Sequence, residues 1–183
     1  LSESMTPLEN FTFLNSYLRR MGPEIRANGG FIDKYIGDAI MALFPRSPDD
    51  GLSAAIAMQR KLEEYNGHRR SSGYRPLAVG IGVHAGSLML GTVGEQERMD
   101  GSVIADAVNL CSRLESLTRV YGAAILTTGR TLRSLSAPGR IASRFIDRVQ
   151  VKGRKETVLL FEVLDGCAPP EREMTPSYRE ELA

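Results

Sequence analysis

The sequence predicts an α+β domain in which helices cover a central sheet. Amphipathic segments with three- and four-residue spacing alternate along the chain with short β-rich segments. Several of the β-rich segments are separated only by tight turns, which favours antiparallel pairing. The length of 183 residues and the 42% hydrophobic content suit one complete hydrophobic core. We therefore expect an α/β sandwich with a mostly antiparallel central sheet flanked by helices.

The first helix is predicted to begin at Thr6 and to end near residues 28–30. Thr6 can cap the helix, Pro7 fits its first position, and Glu9 completes a capping box. Asn28-Gly29-Gly30 is a typical stop signal. Pro23 lies inside the pattern and should kink or restart the helix.

Residues 31–44 are predicted to form a β-hairpin that turns at Gly37-Asp38. The strand predicted at 77–84 has large residues on one face and small ones, including Gly80 and Gly82, on the other. The other predicted elements are a helix from Ser47, a loop at 67–75, a strand at 87–90, a loop at 94–101, a helix at 106–121, a strand at 123–127, a short helix at 128–135, and strands at 142–151 and 158–164.

Composition limits the partners and the compartment. The formal charge of +1 gives no bulk reason to expect nucleic acid or an anionic membrane as a partner. The two cysteines form neither a disulfide framework nor a CxxC pair, which favours a reducing compartment. No apolar run approaches the roughly 20 residues of a membrane helix, and no signal-peptide pattern is present. We expect a cytoplasmic domain without membrane contact through this segment, followed by a polar tail or linker at 165–183.

Asp38 and Lys34 are the first two candidate site residues. A carboxylate in a tight turn between apolar strands is well placed to hold Mg²⁺, which prefers oxygen ligands. A turn aspartate also commonly accepts a hydrogen bond from its own backbone. Lys34 precedes the turn and would be a plausible cation beside a nucleotide bound near Asp38. The pattern alone, without further information, is more typical of a surface lysine.

Asn109 and Arg113 are spaced so that both lie on one helical face. Such a pair can direct an amide and a guanidinium at one ligand, and arginine suits phosphate because its donors are planar and always charged. A solvated helix face would show the same spacing. Residues 151–155 are predicted to form a basic turn, which either binds a polyphosphate or is simply solvated.

Four motifs, taken together, resemble the catalytic domains of class III adenylate and guanylate cyclases. Residues 31–44 (FIDKYIGDAIMALF) resemble the metal-binding hairpin of the family, and residues 80–86 (GIGVHAG) resemble its G-I-x-x-H-x-G strand and turn. Residues 98–100 (RMD) through 109–115 (NLCSRLE) resemble its dimer loop and catalytic helix, and residues 151–153 resemble its V-K-G turn. The resemblance spans about residues 1–164 and implies a ferredoxin-like cyclase homology domain over that range.

The resemblance implies an adenylate cyclase that converts ATP to 3′,5′-cyclic AMP and pyrophosphate. Two Mg²⁺ or Mn²⁺ ions per site would assist attack of the ribose 3′-hydroxyl on the α-phosphate. Asp38 matches a metal-binding aspartate, Asn109 the asparagine that positions the ribose, and Arg113 the arginine that stabilises charge on the α-phosphate. Lys152 matches a lysine on the outer phosphates, a role that its basic neighbours at 154 and 155 could share.

The choice of base depends on two further positions. Lys34 falls where the family's adenylate cyclases carry lysine and its guanylate cyclases carry glutamate. An ammonium can donate to N1 of adenine but cannot accept from N1 of guanine. Ser102 falls at the other base-contacting position, where its hydroxyl can accept from the N6 amino group or rotate to donate. The resemblance therefore favours ATP and allows some use of GTP.

The family's site lies between two subunits, so the resemblance implies a homodimer with two equivalent sites. Asp38 of one subunit would serve the same nucleotide as Lys34, Ser102, Asn109 and Arg113 of the other. The family's other metal-binding aspartate belongs to a first-strand motif, F-x-D-I-x-x-F-T, which we expect upstream of Leu1, together with sensor or membrane modules. Two alternatives are a non-catalytic dimerisation or nucleotide-sensing domain derived from a cyclase, and a guanylate cyclase.

Overall fold

The computed structural model describes residues 6–95, 98–104, 106–150 and 157–166, with residues 92–95 and 98–104 described by their backbone alone. The chain divides into two compact units, residues 1–77 and residues 78–183. In the described parts of the chain, no helix is both long enough and apolar enough to cross a membrane.

From residue 6 onward, the first unit contains two helices and a hairpin: α1 (Pro7–Ala27), β1 (Phe31–Ile36), β2 (Ala39–Leu43) and α2 (Pro48–Ser71). The predicted capping box is confirmed, because Oγ1 of Thr6 accepts from the backbone N of Glu9 at 3.3 Å and Oε2 of Glu9 accepts from the backbone N of Thr6 at 2.8 Å. The helix ends at Asn28, followed by Gly29 with a φ of 76°. It runs through Pro23 as one element, so the predicted restart there is wrong.

The helices α1 and α2 contact each other through their apolar stripes. On α2 the buried side chains have the predicted three- and four-residue spacing: Leu52, Ala55, Met58 and Leu62. On α1 the predicted stripe of Leu8, Phe11, Leu14, Leu18 and Met21 is largely wrong, because only Met21 of these is buried and Leu8 and Phe11 are exposed. The buried apolar side chains of α1 are instead Tyr17, Met21 and Ile25. The core of the first unit therefore comes from the predicted face of α2 and from the C-terminal half of α1.

Helix α2 is longer than predicted, because the polar segment taken as the start of a loop at 67 remains helical to Ser71. Asn66 and Arg69 are buried and bind the chain that follows the helix. Nδ2 of Asn66 donates to the carbonyl of Leu77 at 2.9 Å, and Nε of Arg69 donates to the carbonyl of Arg75 at 2.8 Å. These polar residues serve tertiary hydrogen bonds, which explains why composition alone indicated a loop.

The predicted hairpin is confirmed: β1 and β2 pair antiparallel, with Ile36 opposite Ala39. Gly37 and Asp38 are the two turn residues; Gly37 has a φ of 63°, whereas Asp38 does not adopt a positive φ. This combination is that of a type II′ turn, in which glycine is favoured at the first central position. The local sequence therefore fixes Asp38 at the tip of the hairpin.

The second unit contains six strands and two α-helices among its described residues. In chain order they are β3 (Ile81–Val83), β4 (Met89–Glu95), β5 (Arg98–Ile104), α3 (Asp106–Tyr121), β6 (Ile125–Thr128), α4 (Gly129–Arg133), β7 (Ser143–Gln150) and β8 (Thr157–Val163). Two 3₁₀ turns occur at Pro138–Arg140 and Leu164–Gly166.

The main sheet of the second unit has the order β3-β6-β8-β7 and is mixed. The pairs β6–β8 and β7–β8 are antiparallel as predicted, whereas β3 and β6 are parallel. Parallel neighbours need a long crossover, and the chain between them contains α3. The fold class is thus confirmed, with one parallel pair in the sheet.

The bounds of α3 are those predicted, but two other elements differ. The strand expected at 77–84 is reduced to β3. The segment expected as a loop at 94–101 instead contains the ends of β4 and β5, which pair antiparallel with Glu95 opposite Arg98. Its glycines and charged residues suggested a loop, but pairing of the two strands with each other overrides that composition.

Strand β3 packs against α3 with almost no space between the two backbones. A Cβ atom on Gly82 would lie 2.5 Å from the carbonyl oxygen of Cys111 and 2.6 Å from the backbone N of Glu115. Gly80 likewise faces Thr118. The face of the strand that was predicted to carry small residues therefore packs against α3. This close packing fixes the position of α3 relative to the sheet.

Replacing Gly82 with alanine should destabilise the protein by about 1–3 kcal/mol, because the added methyl group meets backbone atoms of α3 that cannot rotate away. Guanidinium unfolding of the variant and the parent would measure the change. Gly67→Ala is the matched control, because a Cβ there meets no atom of the described chain within 4 Å. This control should be stabilised by about 0.5–1 kcal/mol, since Gly67 lies in a helix interior. Equal stability of the Gly82 variant and the parent would contradict the close packing described here.

Candidate active site

Asp38 and Lys34 both belong to the β1–β2 hairpin of the first unit. Asp38 is exposed at the turn, and Lys34 lies in β1 opposite Met41, with 41% of its side chain exposed. Tyr17 of α1 is buried, and this burial raises the pKa of Tyr17 to about 12, with a smaller contribution from the negative charge of Asp38. The hairpin therefore presents a carboxylate at its tip, and an ammonium on the strand four residues earlier in the chain.

Asn109 and Arg113 lie on the exposed face of α3, as the four-residue spacing predicts. The next residue along the helix after each of them, Leu110 and Leu114, is buried in the core of the second unit with Leu126 and Leu160. One side of α3 is therefore fixed in the core while the amide and guanidinium face outward. Such a helix can present both groups to a ligand without moving its backbone.

The middle of α3 is held to β3 by a sulfur hydrogen bond as well as by close packing. Sγ of Cys111 donates to the carbonyl of Gly82 at 3.1 Å. Cys111 is partly buried, and burial raises the pKa of its thiol to about 11, although a hydrogen bond from the backbone of His84 opposes this rise. The thiol is thus a neutral structural group and not a nucleophile at neutral pH.

The turn after β3 is held by a polar network that joins His84 of the G-I-x-x-H-x-G motif to two threonines that the motif analysis did not single out. Nδ1 of His84 lies 3.0 Å from Oγ1 of Thr128, which lies 2.9 Å from Oγ1 of Thr131. The backbone N of Ala85 donates to Thr131 at 3.0 Å. Because a Cβ on Gly86 would lie 2.8 Å from Cβ of Ala107, this turn also contacts the first residues of α3. The sequence predicted a short helix at 128–135, and in the structure Thr128 is the N-cap of α4.

The remaining two predicted site residues are described less fully. Ser102 lies in β5 opposite Gly91, where the backbone alone is described. Lys152 lies outside the described residues, as do its basic neighbours at 154 and 155. Within each unit, Lys34 and Asp38 therefore share one hairpin, and Asn109 and Arg113 share the exposed face of one helix.

Asp38 suits a hard divalent cation, but it is a partial ligand set. Among the residues that the structure describes, no group of three or more histidine, cysteine, aspartate or glutamate side chains could hold a metal ion. Mg²⁺ is commonly bound by one or two carboxylates together with substrate phosphates and water. An exposed aspartate at a rigid turn fits such a site, in which the nucleotide would supply further oxygen ligands.

Residues 1–163 match the family model described as the adenylate and guanylate cyclase catalytic domain. The chain belongs to this family. An adenylate cyclase from Anabaena cylindrica is 49% identical over 169 residues, which are 89% of this chain and 34% of that protein. The chain thus spans about a third of the length of that relative.

Solved cyclase structures share the fold. The adenylyl cyclase CyaB from P. aeruginosa has a TM-score of 0.76 at 28% identity, covering 88% of this chain and 85% of that one. The guanylyl cyclase Cya2 has a TM-score of 0.74 at 32% identity, covering 88% of this chain and 83% of that one. An adenylyl cyclase and a guanylyl cyclase therefore share this architecture, so the fold alone does not determine which base is used.

Alkylation of Cys111 by iodoacetamide should be slow in the folded cyclase domain. At pH 8, a thiol with a pKa near 11 has about 100-fold less thiolate than one with the ordinary value of 9.0. In a Cys167→Ser background, the rate measured by mass spectrometry should rise about tenfold per pH unit from 8 towards 10. The same protein in guanidinium is the control and should react at the ordinary rate; an equally fast reaction in the folded protein would refute the raised pKa.

Proposed function

We propose that this chain is the catalytic domain of an adenylate cyclase that converts ATP to 3′,5′-cyclic AMP and pyrophosphate as a homodimer in the cytoplasm. The observation that carries the proposal is the outward-facing Asn109–Arg113 pair on a helix whose opposite side is fixed in the core. Together with Asp38 at the hairpin turn, this pair matches the residue types that the reaction needs: an oxygen ligand for a cation, a ribose contact and a fixed positive charge.

Each residue has a distinct role in the proposed reaction. Asn109 orients the ribose so that its 3′-oxygen faces the α-phosphorus in line with the departing pyrophosphate. Arg113 donates to the α-phosphate oxygens, whose negative charge grows as the new bond forms. Lys152 binds the outer phosphates. Asp38 would hold Mg²⁺ or Mn²⁺, which, when bound, lowers the pKa of the 3′-hydroxyl and offsets phosphate charge.

Lys34 supports the choice of ATP over GTP. Its ammonium is a donor only, so it can pair with N1 of adenine but not with the N–H at N1 of guanine. Ser102 would contact the exocyclic group at C6, where a hydroxyl can either accept or donate. Lys34 therefore carries most of the discrimination, and we expect ATP to be preferred with measurable use of GTP.

Exposed apolar side chains support the homodimer. Leu88, Met89 and Leu90 are consecutive and exposed at the start of β4. The ribbon formed by β4 and β5 pairs with no other strand among those the structure describes. A two-stranded ribbon is marginally stable in water unless a further surface covers it, and a second copy of this chain would provide that surface.

Arg113→Ala should lower kcat for cyclic AMP formation by about 100-fold or more, because the side chain acts on charge that develops in the transition state. The assay would use Mn²⁺-ATP and the full-length protein that carries this sequence. Arg119→Ala is the matched control, since Arg119 is also exposed on α3 and near its end. Absence of product from a dimeric parent protein would instead favour the non-catalytic dimerisation or nucleotide-sensing domain.

Mixing two inactive variants should restore activity if the site is shared between subunits. In a dimer of Asp38→Ala with Arg113→Ala, one site loses both residues and the other keeps both. Random exchange of subunits should therefore recover about a quarter of the parent activity per total protein. The double variant Asp38→Ala, Arg113→Ala is the control and should recover none in any mixture. Failure of the two dimeric single variants to complement would exclude a site shared in this way.

A further inference from the structure

Asp33 neighbours Lys34 in β1 and has an unusual environment that none of the proposed roles uses. Only 12% of its side chain is exposed. Its Oδ2 atom is buried and accepts no hydrogen bond from the described residues. A carboxylate removed from water in this way needs a compensating positive charge.

A β-bulge brings that charge to the carboxylate. The strand register passes from Ile32 opposite Ala42 to Lys34 opposite Met41, which leaves Asp33 as the extra residue. Adjacent side chains of a regular strand point to opposite faces, and a bulge disrupts this alternation. Nζ of Lys34 accordingly lies 3.4 Å from Oδ2 of Asp33, close enough for an ion pair although the angles are not those of a hydrogen bond.

The two side chains of this ion pair are buried to different extents. Asp33 is largely buried, whereas Lys34 keeps 41% of its side chain exposed. The ammonium can therefore approach the carboxylate on its inner side and still meet a ligand on its outer side. An ammonium has three donors, so one contact with Asp33 leaves donors for an incoming acceptor.

We propose that Asp33 is a positioning residue that holds the Lys34 ammonium in place for adenine and thereby strengthens the preference for ATP. The proposal deepens the function proposed above and rests on the role given there to Lys34. A lysine side chain loses much rotamer freedom when it is fixed by a ligand. Holding its charged end beforehand lowers that loss on binding, and the gain applies only to a base that can accept from the ammonium.

Asp33→Asn is the variant that tests the role, because it keeps the size of the side chain and removes the charge. The ratio of kcat/KM for ATP to that for GTP should fall about fivefold to tenfold, chiefly through a higher KM for ATP. The kcat at saturating ATP should stay within about twofold of the parent value, since Asp33 does not touch the reacting atoms. An unchanged ATP:GTP ratio would overturn the proposal and leave Asp33 with a structural role.

The control and the double variant separate positioning from a general loss of charge. Asp50→Asn removes another ion pair of the first unit, in which Nε of Arg46 lies 3.2 Å from Oδ2 of Asp50. This control should leave the ATP:GTP ratio unchanged. In a Lys34→Met background, Asp33→Asn should have no further effect on the ratio, because Asp33 acts through Lys34. A further fall in that background would refute action through Lys34.

Two measurements keep the outcome independent of turnover and of folding. Binding of 3′-deoxy-ATP and 3′-deoxy-GTP with Mn²⁺, which lack the attacking hydroxyl, should show the same loss of adenine preference in Asp33→Asn. If the parent forms no cyclic AMP, the proposed function fails, whereas these binding ratios still decide the role of Asp33.

Thermal unfolding should show that Lys34→Met destabilises the protein and that adding Asp33→Asn restores part of the lost stability. Asp33→Ser replaces Asp33→Asn if the latter does not fold.

Discussion

The approach of Gly82 to the backbone of α3 is the contact on which the arrangement of the second unit depends. With hydrogen in place of a side chain, the strand lies directly against Cys111 and Glu115. The buried Leu110 and Leu114 then fill the core beside it. Because the helical repeat fixes the remaining side chains once this face is set, Asn109 and Arg113 must face outward. The orientation of the candidate catalytic pair therefore follows from packing on the opposite side of the helix.

The hairpin of the first unit obeys two local constraints instead of one long-range contact. Gly37 at positive φ determines the turn and so places Asp38 at the tip. The bulge at Asp33 determines where the ammonium of Lys34 lies. Under the proposed dimer, the same hairpin would serve two nucleotides, with its aspartate in one site and its lysine in the other. A change in the bulge would then affect base choice in one site without moving the turn that serves the other.

Sequence patterns predicted the elements whose signals are local and missed those that depend on distant partners. The capping box at Thr6, the glycine turn at Gly37 and the helix at 106–121 were all readable because neighbouring residues decide them. The end of α2 was not, because Asn66 and Arg69 are polar yet buried through hydrogen bonds to residues up to eleven positions away. A prediction from local composition places such polar residues in an exposed loop, whereas here their tertiary contacts keep them in the helix.

The same distinction applies to the candidate site. The four-residue spacing was enough to place Asn109 and Arg113 on one face, but it named no reaction, and the family resemblance supplied the roles. The bulge at Asp33 and the threonine partner of His84 were not predictable, since an extra strand residue and a partner 44 positions away leave no periodic signal. Asp33 looked like an ordinary charged residue in a strand until its register and burial were known.

The exposure of the candidate residues bears on how the site would work. In water, a guanidinium such as that of Arg113 interacts weakly with a phosphate, because solvent screens both charges. The same contact becomes much stronger where water is excluded, as transition-state stabilisation requires. Asn109, Arg113 and Asp38 are all exposed in the single chain. A second subunit that covers them would therefore do more than supply further side chains to the site. By excluding water, it would strengthen the contact between the Arg113 guanidinium and the α-phosphate, as the proposed role of Arg113 requires.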